Sequence, residues 1–163
     1  MRHVLSVLVN DQPRVLARVS TLLGRRNFNI ESISVGESEE KGLSRMVIVT
    51  HGDERTMEQV QKQLHKLIDV IKVHDLSNHP AVERELLLIK VEAGPAARME
   101  ISGVVEPFRA AVVDVGSQNM MVQATGERAK LDALIELLRP YGIKEIARTG
   151  VTALSRSMVQ GNS

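Results

Sequence analysis

Arg2-His3-Val4-Leu5-Ser6-Val7-Leu8-Val9, then Asn10-Asp11-Gln12-Pro13, sets the plan of the chain. The first eight residues are short, apolar and rich in branched side chains, as a buried strand should be. The polar turn after them ends in a proline, which suits the first turn of a helix because its missing N–H is not needed there. Val15, Leu16, Val19, Leu22 and Leu23 recur at helical spacing and predict a helix over 13–25 with one apolar stripe. Asn27 reads as its stop, and Ile30, Ile33 and Val35 as a second strand. The polar segment Gly36–Gly42 is a hairpin connection, and residues 44–50 supply a third strand. Met57, Val60, Leu64 and Leu67 mark a second helix, and Val70, Ile71 and Val73 a fourth strand. The order is βαββαβ.

After the turn cluster Ser77-Asn78-His79-Pro80 the pattern restarts. Leu86, Leu88, Ile89 and Val91 form a strand; Pro95 opens a helix carrying Ala97, Ile101, Val104 and Phe108. Strands over 110–115 and 120–125 flank a turn at 116–119. A helix through Leu131, Leu134, Ile135 and Leu138 is ended by Pro140 and Gly142, and Ile143–Arg148 is the last predicted strand. A repeat of this length is too long for a solenoid. Two tandem ferredoxin-like α+β sandwiches satisfy it, each hiding one face of a four-stranded sheet under two helices. The expected boundaries are 1–77, a linker at 78–82, a second domain at 83–157 and a tail at 158–163. Each sheet keeps one face and its edges uncovered, and units this small are marginal alone, so pairing of two copies is expected.

Lys and Arg total 21 and Asp and Glu 20, and both halves are balanced, with 11 basic and 10 acidic side chains before residue 78 and 10 of each after it. A nucleic-acid partner would need a basic face and stacking aromatics, and only Phe28, Phe108 and Tyr141 are aromatic. No cysteine is present, which excludes disulfides and thiolate chemistry. The first residues lack a signal peptide's apolar core, and no apolar run approaches the roughly 20 residues that span a bilayer. No nucleic acid, no membrane and a cytoplasmic location are the expectations.

No phosphate-loop, dinucleotide or nucleophile-elbow motif occurs, and nothing assembles a nucleophile, a base and oxyanion donors. No catalytic residue is therefore expected, and no metal site: His74, Asp75 and His79 are close in sequence, but a solvated turn explains them better. Glu37, Glu39 and Glu40 read as an acidic hairpin tip, Met120 and Met121 as opposite faces of a strand, and Asp114 as solvent-facing.

One constellation points to binding. The turn Asn10-Asp11-Gln12-Pro13 leads into a helix whose first N–H groups are free and positively polarised, a seat for a carboxylate. Asp11 or Asn29 would take an ammonium group, and Val15, Leu16 and Ile30 would line an apolar pocket. Together they suit a free aliphatic amino acid. The alternative stays open at this point: Asn10 or Asp11 simply caps the helix and Asn29 closes a turn.

At these residues the chain resembles the small, regulatory subunit of acetolactate synthase (acetohydroxyacid synthase). The first half carries Arg25-Arg26-Asn27-Phe28-Asn29-Ile30-Glu31-Ser32-Ile33, Leu43-Ser44-Arg45-Met46 and residues 62–70, Lys-Gln-Leu-His-Lys-Leu-Ile-Asp-Val. The second carries Glu106-Pro107-Phe108-Arg109-Ala110 on to Asp114, Thr125-Gly126-Glu127 and Tyr141-Gly142-Ile143-Lys144-Glu145-Ile146-Ala147-Arg148-Thr149-Gly150. The resemblance implies an N-terminal ACT domain and a homodimer whose ACT sheets pair side by side, with valine or a related end product of branched-chain amino acid biosynthesis bound between them. It also implies no active site and no cofactor on this chain. A separate large, catalytic subunit would hold thiamine diphosphate, magnesium and FAD, gain activity from this one and receive feedback inhibition through it. A stand-alone amino-acid-sensing ACT protein acting on another enzyme or a transcription factor is the rival reading. Arg109, Asp114 and Arg148 are candidates for the docking surface, with ion pairing at the core edge as their simpler role.

The effector turn departs from the family, which usually has glycine where Arg14 stands, asparagine where Asp11 stands and glycine where Asn27 stands. Asn27 tolerates positive φ. Arg14 would obstruct a backbone needing positive φ and sets a cation at the unfavourable end of the helix dipole, or else reaches the effector carboxylate directly. Weakened valine sensitivity with activation intact is the expectation.

Overall fold

The computed structural model describes residues 1–26 and 28–157. The expected stop at Asn27 and the tail 158–163 lie outside them. The chain is α+β, with two βαββαβ units built as the sequence pattern requires.

In the first unit, strands β1 (Arg2–Asn10), β2 (Asn29–Glu37), β3 (Leu43–His51) and β4 (Val70–Asp75) form an antiparallel sheet in the order β2-β3-β1-β4. Helices α1 (Val15–Arg25) and α2 (Glu54–His65) cover one face. Alternation puts Leu5, Val7, Val9, Met46 and Ile48 on that face, where they meet Val15, Val19 and Leu23 of α1 and Met57, Val60 and Leu64 of α2. Leu16 leaves the predicted stripe and is 46% exposed. Helix α1 also starts later than expected, Pro13 standing in the preceding turn. Asp53 caps α2 by accepting the Thr56 N–H at 2.7 Å. That backbone hydrogen bond, above all, holds its carboxyl below the usual range. Gly42, at φ 86°, supplies the left-handed residue that closes the β2–β3 hairpin.

In the second unit, β5 (Ala81–Glu92), β6 (Ala111–Val115), β7 (Asn119–Gly126) and β8 (Ile143–Arg148) repeat the same order, β6-β7-β5-β8. Helices α3 (Arg98–Val105) and α4 (Arg128–Leu138) bury Ile101, Val105, Leu131, Leu134 and Leu138 against Leu87, Ile89, Val91, Met120 and Val122. Met121 is half-buried on the opposite face from buried Met120, and Asp114 is exposed, as expected. Helix α3 is shorter than predicted because Pro107 tightens its end into a 3₁₀ turn, Glu106–Phe108. Arg109 follows at φ 52°, the one left-handed non-glycine among the described residues. Its Cβ crowds the backbone there, so Arg109→Gly is expected to stabilise by about 1 kcal/mol and raise the melting temperature by about 2–4 °C, read by thermal denaturation.

Two features depart from the predicted layout. Residues 81–82, assigned to the linker, are already strand. Ile143–Arg148 is not the last strand: β9 (Thr152–Ser155) follows and pairs with β5. By their contacts residues 151–157 belong with the first unit, not the second. Val151 and Ala153, 2% and 4% exposed, pack with Ala81 on Val4, Val47, Val49 and Leu76. The first sheet's open face is therefore partly covered by the chain's own C-terminal strand, a two-residue apolar alternation too short to stand out in sequence.

Candidate functional site

The β1–α1 turn is fixed by its backbone. Asn10 N–H donates to Asp69 O at 2.8 Å, Asp11 N–H to Gly42 O at 2.9 Å, and Val15 N–H to Gln12 O at 3.2 Å. The second unit reproduces these bonds: Glu92 N–H to Gly142 O at 2.8 Å, Ala93 N–H to Gln118 O at 2.9 Å, Ala97 N–H to Gly94 O at 3.0 Å. Pro13 and Pro95 occupy matching places, so the repeat read from the pattern extends to individual hydrogen bonds.

What differs is the side chains. In the first unit a cleft of about 470 Å³ is lined by Asn10, Gln12, Pro13, Arg14, Arg18 and Asp69. Arg18 Nη1 donates to Asp69 Oδ2 at 2.8 Å. The residue before α1 is Arg14, and it offers no side-chain cap. Neither Asn10 nor Asp11 takes that role among the described residues, so the capping alternative is not what the turn does. With the Val15 N–H taken by Gln12 O, the next two N–H groups of α1, those of Leu16 and Ala17, stay open to an anion, with two guanidiniums nearby and a carboxylate able to receive an ammonium group. Arg14 has φ −105°, an ordinary right-handed conformation, so the supposed need for positive φ does not arise.

The structure does not gather all the predicted residues. Val15 is a core residue at 3% exposure and Leu16 points to solvent, and neither of them nor Asp11, the expected ammonium acceptor, lines the cleft. Asn29 and Ile30 lie at the other end of the sheet. Asn10 stands opposite Leu43 on β3, whereas Asn29 stands opposite His51. Eight residues of antiparallel strand separate those positions, about 27 Å. There Thr50, fully buried, donates its Oγ1 to Asn29 O at 2.7 Å, and Glu31, beside a break in the β2–β3 register, sits 2.9 Å from His51 Nε2. Arg18 and Asp69 were not foreseen. Arg18 was within reach, one helical turn after Arg14; Asp69 enters through the fold alone.

The remaining candidates resolve simply. Glu39 of the acidic hairpin tip pairs with Arg45 at 2.9 Å, and Arg109 is exposed. The His74 and His79 rings lie 5.5 Å apart, but Asp75 accepts the Ser77 N–H and sits 3.6 Å from buried His3. No trio of metal-binding side chains occurs among the described residues. No helix in them is long and apolar enough to cross a membrane.

Known proteins match both halves. A family model described as the small subunit of acetolactate synthase matches residues 84–157, and an AHAS small subunit-like ACT domain matches residues 5–72. The acetolactate synthase small subunit of Bacillus subtilis is 52% identical over 161 residues, covering 98% of this chain and 94% of that one. A probable acetolactate synthase small subunit of Methanothermobacter thermautotrophicus is 52% identical over 155 residues, covering 94% and 92%. The crystal structure of the Thermotoga maritima small subunit superposes with a TM-score of 0.91 at 44% identity, covering 98% of this chain and 99% of that one. With an ACT domain matched over residues 5–72 and the family's C-terminal domain over 84–157, the chain belongs to the acetolactate synthase small subunits.

Proposed function

We propose that this chain acts in pairs as a cytoplasmic, non-catalytic regulator of the branched-chain amino acid pathway. It raises the activity of a catalytic large subunit, which carries thiamine diphosphate, magnesium and FAD, and confers feedback inhibition by valine or a related aliphatic amino acid. The observation that carries the effector site is the separation of Asn29 from the Asn10–Arg14 turn within one chain. Strand β2 is the outer edge of its sheet. Two such edges paired antiparallel about their midpoint, Ile33, bring Asn29 of one copy to the end of the sheet where the other copy presents its turn. The ligand's carboxylate then faces the α1 N-terminus and Arg14, its ammonium group Asp69 or the facing Asn29. Apolar surface comes from the paired edges rather than from a single-chain pocket.

The test is reconstitution with the large subunit, with the rate measured with and without valine. Activation together with valine inhibition supports the proposal; purification without any thiamine-dependent partner, and no effect on one, would favour the stand-alone sensor. Because Arg14 lines the cleft in an unstrained conformation, its guanidinium serves the carboxylate. Arg14→Gly is expected to weaken valine binding about ten-fold by calorimetry. Tighter binding by that variant would restore the idea that Arg14 obstructs the site.

A further inference from the structure

We propose that β9 is a strap that positions the effector strand β2 and carries its occupancy to the second unit; this rests on the effector site proposed above. The contacts that carry it lie within the first unit. Val4, Val47 and Val49 form the apolar back of its sheet, and Val151 and Ala153 seal that back. Ser32 stands opposite Val49 in the register, three residues after Asn29, and its Oγ accepts the Val151 N–H at 3.4 Å. Val151 therefore touches the strand on which the second half of the effector site is built.

The strap is also anchored where the chain departs. Arg156 N–H donates to Pro80 O at 2.8 Å, β9 pairs with β5, and Ala81 joins the same apolar cluster. The second unit begins at Glu83 and ends at Gly150, so both of its covalent ties to the first unit run directly into this hydrogen-bonded pair. A strand is nearly inextensible along its length. A shift of β2 on ligand binding must either leave Val151's seat or move the residues that lead into the second unit. Well-packed seats have discrete arrangements rather than a continuum, which is what a relay requires.

Val151 and Ser32 are thus positioning residues that touch no ligand. The experiment uses the complex with the large subunit and compares wild type with Val151→Ala and Ser32→Ala. The second variant removes only a hydroxyl and leaves the core intact should the first unfold. Valine binding is read by calorimetry and inhibition by rate. The expected result is a valine dissociation constant within about three-fold of wild type, full activation, and inhibition at saturating valine reduced about five-fold or more. Binding and inhibition falling in parallel would make the strap merely structural and overturn the proposal, as would inhibition unchanged in both variants. A wild-type complex that ignores valine, leucine and isoleucine would remove the effector reading and the strap with it, and the wild-type arm alone identifies that outcome.

Discussion

Chains carrying Asn29→Ala and chains carrying Asn10→Ala, each paired only with itself, are expected to leave the catalytic subunit active and blind to valine, and a one-to-one mixture is expected to regain part of the inhibition. Both side chains can be removed without disturbing the backbone that places them. Thr50 bonds the carbonyl of Asn29, and Asn10 is tied to Asp69 through its own N–H. What each substitution loses is a hydrogen bond to a charged ligand, about 1.5–3 kcal/mol, which is roughly ten- to more than a hundred-fold in affinity. If each site takes Asn10 from one copy and Asn29 from the other, a mixed pair holds one intact site and one doubly defective site. Random pairing then leaves about a quarter of all sites intact. A mixture as silent as its components would place the whole site within one chain or leave Asn29 a purely structural residue. Loss of activation together with inhibition would also mark the residue as structural.

The fold was legible because its cause is periodic. Two stretches of βαββαβ patterning, each with a proline opening the first helix, leave few ways to bury their apolar faces. The polar turn at residues 10–14 that leads into α1 was legible too, since its residues are contiguous. The distance between that turn and Asn29 was not. Sequence proximity of strand and helix suggested a shared pocket, and only the antiparallel register of β3 shows that they occupy opposite ends of the sheet. Arg14 taught the same lesson at the level of φ: a family's glycine suggests left-handed backbone, but the turn here is right-handed. Strand β9 escaped because Val151 and Ala153 are ordinary small apolar residues whose meaning lies in what they cover.

Arg148 is where the docking and the structural readings part most clearly, and the structural one is expected to win. On β8 its guanidinium donates to Asp132 Oδ1 at 2.6 Å, to Glu85 Oε2 at 3.0 Å and to Arg128 O at 3.3 Å. Burial alone would disfavour its charge, but the bonds to Asp132 and Glu85 outweigh that and hold the cation firmly protonated. Glu85 is only 7% exposed, so water cannot replace the guanidinium. Arg148→Ala would leave that carboxylate buried without its cation, and the expected loss is about 3 kcal/mol of stability. Arg148→Lys restores the charge but offers a point donor where a planar fork spans two carboxylates, so it should recover only part of the loss. Adding Glu85→Gln to Arg148→Ala removes the stranded charge and should return stability relative to the single variant, a coupling that thermal unfolding of the four chains measures directly. If Arg148 instead served to dock the catalytic subunit, Arg148→Ala would melt like wild type and fail to activate, and the ion cluster would be incidental to the fold.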